Sequence, residues 1–460
     1  MSSGTQNPST DTTRDPADPT DKLIAQLRPQ DGTILHVGCG SGRLGQLIKA
    51  ARPESIIHGI TTDPSAARQA RLVLDRVDVC RLEDLPEVAD ASLDCIILSD
   101  TLDHVLDPVA FLRRLKPLLR SGGRLLSAIP NFQHFEVLAS LLAGDFQRRR
   151  DGGATAAPVR ILGLANVQKL FLDAGCLPRV PDSVRLPIPA ETLAAYRPAI
   201  EHLRLYPDLF EEKASIRHFI CVAEPLPEPE PTAARMTFVV AVNNERQLHD
   251  NLMASPIFHG DRHEVIPVTG AASAAEALTT GLSRSTTDNG IVALLHQDIY
   301  LPAGWDDRLI SGLRQAEDRF GAVGIAGVFG VAAKPEGGFE RAGRLVDRFE
   351  TLKPPLPLPA EAVSLDEIAL VFRSRSLAIE SMKPELGFHM FGSEAALIAR
   401  DKGFAAIIVD APLLHNTESG HRVPFELIYS AKLFAMTRTA HFPYATTCLA
   451  FSDTGKIGLW

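Results

Sequence analysis

Residues 34–50 read ILHVGCGSGRLGQLIKA, an apolar run that breaks into glycines and resumes as an amphipathic helical pattern. A buried strand, a tight turn and a helix account for that order. Gly38, Gly40 and Gly42 let the turn approach a ligand closely at the carboxyl end of the strand, which is where open α/β sheets bind theirs. The pattern extends outward. β-like runs at residues 33–37, 55–60, 93–99 and 124–129 alternate with helical stretches such as residues 108–119, and this alternation predicts a parallel sheet wrapped by helices.

Two ligand classes suit the turn. Gly40, Gly42 and Gly45 satisfy GxGxxG, and Asp63 follows at a distance suited to a ribose hydroxyl, as in nicotinamide enzymes. Residues 93–131, LDCIILSDTLDHVLDPVAFLRRLKPLLRSGGRLLSAIPN, favour the other. Asp100, Leu102, Asp103, His104, Asp107 and Pro108 match a D-x-LEH-x-x-DP sequence, with Asp103 in place of its glutamate, and an SGG turn and IPN follow. On these residues, over about positions 25–224, the chain resembles S-adenosylmethionine-dependent methyltransferases of polysaccharide and secondary-metabolite clusters. The resemblance implies a Rossmann-like fold with S-adenosylmethionine held by Gly38, Gly40 and Gly42, and by Thr61, Asp63, Glu83 and Asp84. His36 and Thr61 stand where the family carries acids, Arg81 lies near the adenine-contacting position, and residues 152–163 replace an aromatic and basic segment. Asp63 can supply the ribose acid two residues late. His104 is the candidate base for the methyl acceptor, with ring packing at a helix start as its structural alternative.

The second half carries its own constellation. Val239–Pro256 begins with a strand ending in Asn243, Asn244 and Glu245; residues 273–285 read as a helix, and residues 291–309 read IVALLHQDIYLPAGWDDRL. An apolar strand running into His296-Gln297-Asp298 sets two potential metal ligands on one side, because alternate residues of a strand face the same way. Further on come Leu365-Asp366-Glu367, GFHMFGSEAALIARDKGF at residues 387–404 and IIVDAPLLHN at residues 407–416. With these motifs, residues 236–460 resemble the StrF-related members of the family 2 glycosyltransferases. The resemblance implies a GT-A fold, a nucleotide-sugar donor contacted by Asn243, Glu245, His296 and Asp298, and Mn²⁺ or Mg²⁺ on Asp298 with His415 as a second contact. It also implies a base at Glu394, where relatives have aspartate, with helix capping as the alternative and Asp366 as a further acceptor contact.

A formal charge of −9 excludes a sequence-independent nucleic-acid binder, which needs a basic surface; the run Arg148, Arg149, Arg150 reads as a solvated patch. Six scattered cysteines without a CxxC pair predict reduced thiols and a cytoplasmic setting. No run reaches 18 apolar residues, so any membrane contact is expected to be peripheral. The segment EPLPEPEPTAAR, residues 224–235, disfavours helix and sheet. It divides the chain into a polar arm (1–20), a methyltransferase-like domain (21–224), a linker (225–235) and a glycosyltransferase-like domain (236–460), two tandem doubly wound α/β domains. The expected function is glycosyl transfer to a glycan or glycosylated metabolite, fused to a methyltransferase domain. Two alternatives are a single activity with the first domain as scaffold, and a non-catalytic carbohydrate-binding protein.

Overall fold

The computed structural model describes residues 18–99, 101–144, 159–203, 205–286, 290–348, 350–417 and 424–459. Asp100, the Arg148–Arg150 run, most of residues 152–163 and most of the N-terminal arm lie outside the described residues. Two compact units emerge. One comprises Met1–Phe111, Leu115–Gly163 and Val180–Val222; the other comprises Leu112–Arg114, Leu164–Arg179 and Ala223–Trp460.

Strands β1 (Thr33–Val37), β2 (Ile56–Thr61), β3 (Arg76–Val79), β4 (Leu93–Ser99), β5 (Leu119–Pro130), β6 (Cys176–Arg185) and β7 (Ile216–Pro225) form a sheet in the order β3-β2-β1-β4-β5-β7-β6. β1 is parallel to β2 and β4, β2 to β3, and β4 to β5. The near-continuous apolar character of β1 and β4 follows from burial on both faces, as a parallel sheet demands. Ile34, Ile57, Cys95, Leu126 and Ile220 form its core with Leu44 and Ile48 of the helix Arg43–Ala51. The helical pattern at residues 108–119 ends as an α-helix at Leu115, and a 3₁₀ turn, Lys116–Leu118, carries Pro117, which has no N–H to continue the ladder. All six cysteines are free thiols.

The second unit holds β8 (Thr237–Val242), β9 (Glu264–Thr269), β10 (Val292–Leu295), β11 (Ile299–Tyr300), β12 (Val323–Gly327), β13 (Phe329–Ala333), β14 (Phe339–Gly343), β15 (Leu345–Asp347), β16 (Glu350–Leu352), β17 (Ala360–Glu361), β18 (Ser364–Leu365), β19 (Ala369–Phe372), β20 (Ala405–Ile408) and β21 (Leu413–His415). Its main sheet runs β17-β20-β12-β19-β10-β8-β9. β8 is parallel to its neighbours β9 and β10, but β19 runs antiparallel to both β10 and β12, so this sheet is mixed where the sequence pattern predicted a doubly wound one. Phe238, Val240, Leu295, Trp305 and Val371 fill one face. Two smaller sheets, β11-β21-β15-β16 and β14-β13-β18, complete the α/β part, and a three-stranded sheet of residues 444–459 follows. Among the described residues no helix is long and apolar enough to cross a membrane.

Candidate functional sites

In the first unit the strand order reverses at β1, whose neighbours are β2 on one side and β4 on the other. A crevice at the carboxyl ends of such strands is the default ligand site of an open α/β sheet. Gly38 has φ +79°, and a Cβ there would lie 2.7 Å from the Ser99 carbonyl oxygen, so only glycine lets the turn pass the end of β4. Gly40 also has positive φ (+52°), and a Cβ there would meet nothing within 4 Å; the turn shows its backbone to open space. Beneath it His36 is 2% exposed. Its Nε2 lies 3.1 Å from Ser99 Oγ, while Nδ1 has no partner among the described residues. Burial pushes this imidazole down to about 4, which keeps it neutral.

Thr61 is 4% exposed at the end of β2, and its hydroxyl accepts the Asp63 N–H at 3.3 Å. Asp63 is exposed and caps the helix Pro64–Ala70, its Oδ1 accepting the Ser65 N–H at 2.7 Å. Glu83 is half-buried, 3.9 Å from Arg81, and Asp84 is exposed. His104 Nε2 lies 3.5 Å from Asp103 Oδ2, and Asp103 is buried. The motif thus sets an imidazole beside a buried carboxylate. Asp107 instead caps the helix that begins at Pro108, accepting the Ala110 N–H at 2.9 Å.

In the second unit the reversal falls at β8, flanked by β9 and β10. His296-Gln297-Asp298 is the whole connection from β10 to β11, so it joins the main sheet to a smaller one. Gln297, which sequence reasoning passed over as the middle of the triplet, clamps the ends of β8 and β10 together. Its Oε1 accepts the N–H groups of Asn243 and Asn244 at 2.9 and 3.0 Å, and its Nε2 donates to Gln247 Oε1 at 3.2 Å. Asn244 caps the helix Glu245–Asp250, whose first residue, Glu245, is exposed.

The smaller sheet then gathers distant residues. Its register sets His415 opposite Ile299 and beside Asp347. His415 Nε2 comes 3.5 Å from Asp298 Oδ2, and its Nδ1 lies 3.4 Å from Asp347 Oδ1. One ligand atom from each of His296, Asp298 and His415 lies within 4.8 Å of the other two. Burial opposes charge at His415, but the hydrogen bonds and charges of Asp298 and Asp347 raise it to about 10. Burial likewise raises Asp298, yet His415 outweighs it and holds the carboxyl at about 2. The partnership of Asp347 with His415 could not be read from motifs, because the two lie 68 residues apart and meet only through β15–β21 pairing.

The other predicted acids go separate ways. Asp366 Oδ2 accepts the Thr447 hydroxyl at 2.7 Å, and its charge acts on His296. Glu394 is 4% exposed within the first turn of the helix Phe391–Asp401, and both its oxygens accept from Arg438, one of them from Nε at 2.9 Å. Both oxygens are thus taken up by the Arg438 guanidinium, a pairing that ties the start of this helix to Arg438. Glu367, one residue beyond Asp366, is raised to about 8 by burial and then by the Asp366 charge, against the N–H groups of Gly392, Met390 and Phe391.

Residues 35–125 match the methyltransferase domain family. Over 115 residues the chain is 33% identical to a ubiquinone biosynthesis O-methyltransferase of Xanthomonas axonopodis pv. citri, covering 24% of this chain and 47% of that protein. It is 34% identical over 111 residues to an uncharacterized 37.1 kDa protein in transposon TN4556 of Streptomyces fradiae, covering 23% of this chain and 32% of that one. The chain therefore spans half or less of the length of these relatives. Among solved structures, geranyl diphosphate methyltransferase in complex with SAM aligns with 45% of this chain and 84% of its own, at 16% identity and a TM-score of 0.31. YcgJ of Bacillus subtilis aligns with 45% of this chain and 98% of its own, at 17% identity and the same TM-score of 0.31. The N-terminal region of this chain thus carries a methyltransferase domain built on an α/β Rossmann-like sheet.

Proposed function

We propose that the first unit binds S-adenosylmethionine over the Gly38–Gly42 turn and transfers its methyl group to an acceptor oxygen. The observation that carries this reading is the turn itself, with positive φ at Gly38, Gly40 and Gly42 and open space over Gly40, set where the strand order reverses. The residues present fit the group. A carboxylate has about four acceptor sites, so Asp63 can cap its helix and still receive a ribose hydroxyl, and His36 is neutral beneath the turn. Bound S-adenosylmethionine supplies an electrophilic methyl on a sulfonium. The protein's part is to orient the acceptor and, through His104 held by Asp103, to take its proton. An oxygen acceptor accords with the name of the Xanthomonas relative. Calorimetry with S-adenosylmethionine tests the site: Asp63→Asn keeps the cap but removes a charged acceptor, and we expect affinity to fall about tenfold or more. Unchanged affinity in this variant would leave Asp63 with the cap alone.

One further observation favours a second activity. His296, Asp298 and His415 converge at the carboxyl ends of β10 and β21, with the Asp347 carboxylate 3.4 Å behind the His415 imidazole. This donor set suits a divalent cation, and two imidazoles favour Mn²⁺ over Mg²⁺, which takes oxygen ligands. When bound, the ion would neutralise the diphosphate leaving group of a nucleotide-sugar donor. Asn243 and Glu245 stand ready at the adjacent end of β8, and the acceptor is a glycan or glycosylated metabolite. Release of nucleoside diphosphate from UDP- and dTDP-hexoses, with Mn²⁺ and after EDTA, tests this reading. Turnover indifferent to both EDTA and Asp298→Ala would remove the ion from the mechanism.

A further inference from the structure

We propose that Glu367, and not Glu394, takes the acceptor's proton in the second unit; this rests on the glycosyl-transfer reading above. Three observations place it. β10 and β19 pair antiparallel with Leu295 opposite Ala369, and the His296 N–H donates to the Ile368 carbonyl at 3.0 Å. That register sets residues 366–367 flush with His296-Gln297-Asp298 at one end of the main sheet. Next, the carboxylate has a fixed seat. The N–H groups of Met390, Phe391 and Gly392, at the start of the helix Phe391–Asp401, act on it electrostatically. Gly392 packs this close because a Cβ there would lie 2.4 Å from the Leu365 carbonyl oxygen, and 3.2 Å from Glu367 Cγ, so the helix start abuts the 365–367 segment. Half-buried, Glu367 still faces solvent.

The third observation is elimination. Both oxygens of Glu394 belong to Arg438. Glu367 has no ion-pair partner among the described residues, so no cation competes for the proton it would accept. In the step, the acceptor oxygen forms its bond to the anomeric carbon as its proton passes to Glu367. The bond from that carbon to the diphosphate oxygen breaks, its electron pair leaves with the nucleoside diphosphate, and Glu367 then returns the proton to water. Burial beside Asp366 strengthens the carboxylate as a proton acceptor.

The test measures nucleotide release from UDP- and dTDP-hexoses with Mn²⁺ and p-nitrophenyl glycoside acceptors, in the full chain. Glu367→Gln keeps size and one acceptor oxygen for the helix; acceptor-dependent kcat should fall by about 100-fold or more, with donor KM and melting temperature nearly unchanged. Glu394→Gln should do the reverse, losing stability while keeping kcat. A kcat for Glu367→Gln within a few-fold of the unaltered chain overturns the assignment. Should that variant fail to fold, Glu367→Asp keeps the charge at the helix but withdraws it by a methylene. A drop in kcat at constant donor KM then supports the proposal, and an unaltered kcat overturns it. If the unaltered chain releases no nucleotide from any donor, the glycosyl-transfer reading itself falls, an outcome distinct from an active chain indifferent to position 367.

Discussion

His36 is buried with its imidazole held neutral, and unfolding returns it to an ordinary histidine near 6.5. Because the folded value is the lower one, the unfolded chain binds the extra proton. The associated stability is complete above about pH 6.5 and is lost as pH falls toward 4, a change on the order of 3 kcal/mol. Denaturant titrations between pH 4 and 7 should show that slope, and His36→Asn, which cannot titrate, should flatten it. The Glu394–Arg438 pair gives the second prediction at this scale. Removing one member of a largely buried pair strands the other, so Glu394→Ala should cost about 3 kcal/mol, read as a lower denaturation midpoint. The sequence put Glu394 at a helix start, which is where it lies. It could not disclose Arg438, 44 residues on, because that contact depends on how the helix Phe425–Thr437 meets the helix Phe391–Asp401.

Among the elements, the helix Ala274–Arg284 was legible nearly to the residue, and its capping shows why. Ser273 Oγ accepts the Glu276 N–H at 3.1 Å while Glu276 Oε2 accepts the Ala272 N–H at 2.8 Å, a variant of the capping box whose return bond reaches the residue before the cap, all within five consecutive residues. Ser273→Ala should lower stability by about 1 kcal/mol, measured by thermal or denaturant unfolding. Short strands were harder. β11, β15 and β21 have two or three residues each, too few for any periodicity, yet their pairing assembles the His415 cluster. If that cluster binds a cation, Mn²⁺ at about a hundred times its Kd should stabilise the protein by about 2.7 kcal/mol. His415→Ala should abolish the effect, and Asp347→Asn should weaken Mn²⁺ binding by about tenfold or more while leaving the three ligands in place.

For the whole molecule, two compact units with separate sheets predict separable ligand responses. Asp298→Asn should remove the Mn²⁺ shift without altering S-adenosylmethionine affinity, and Asp63→Asn should do the opposite, both measurable by calorimetry on the full chain. Loss of both responses in either variant would contradict that independence. Much of this organisation could be read directly from the chain. Apolar runs ending in glycine, or in His296-Gln297-Asp298, mark strands and their carboxyl ends, because burial on both faces and the turn's backbone geometry are imposed residue by residue. The antiparallel course of β19 could not be read there, since an apolar strand of four residues carries no sign of its direction. Nor could the partners of the charged groups. Arg438 on Glu394 and Asp347 behind His415 both depend on long-range register, and the proton and metal chemistry of a carboxylate follows from those neighbours more than from its place in a motif.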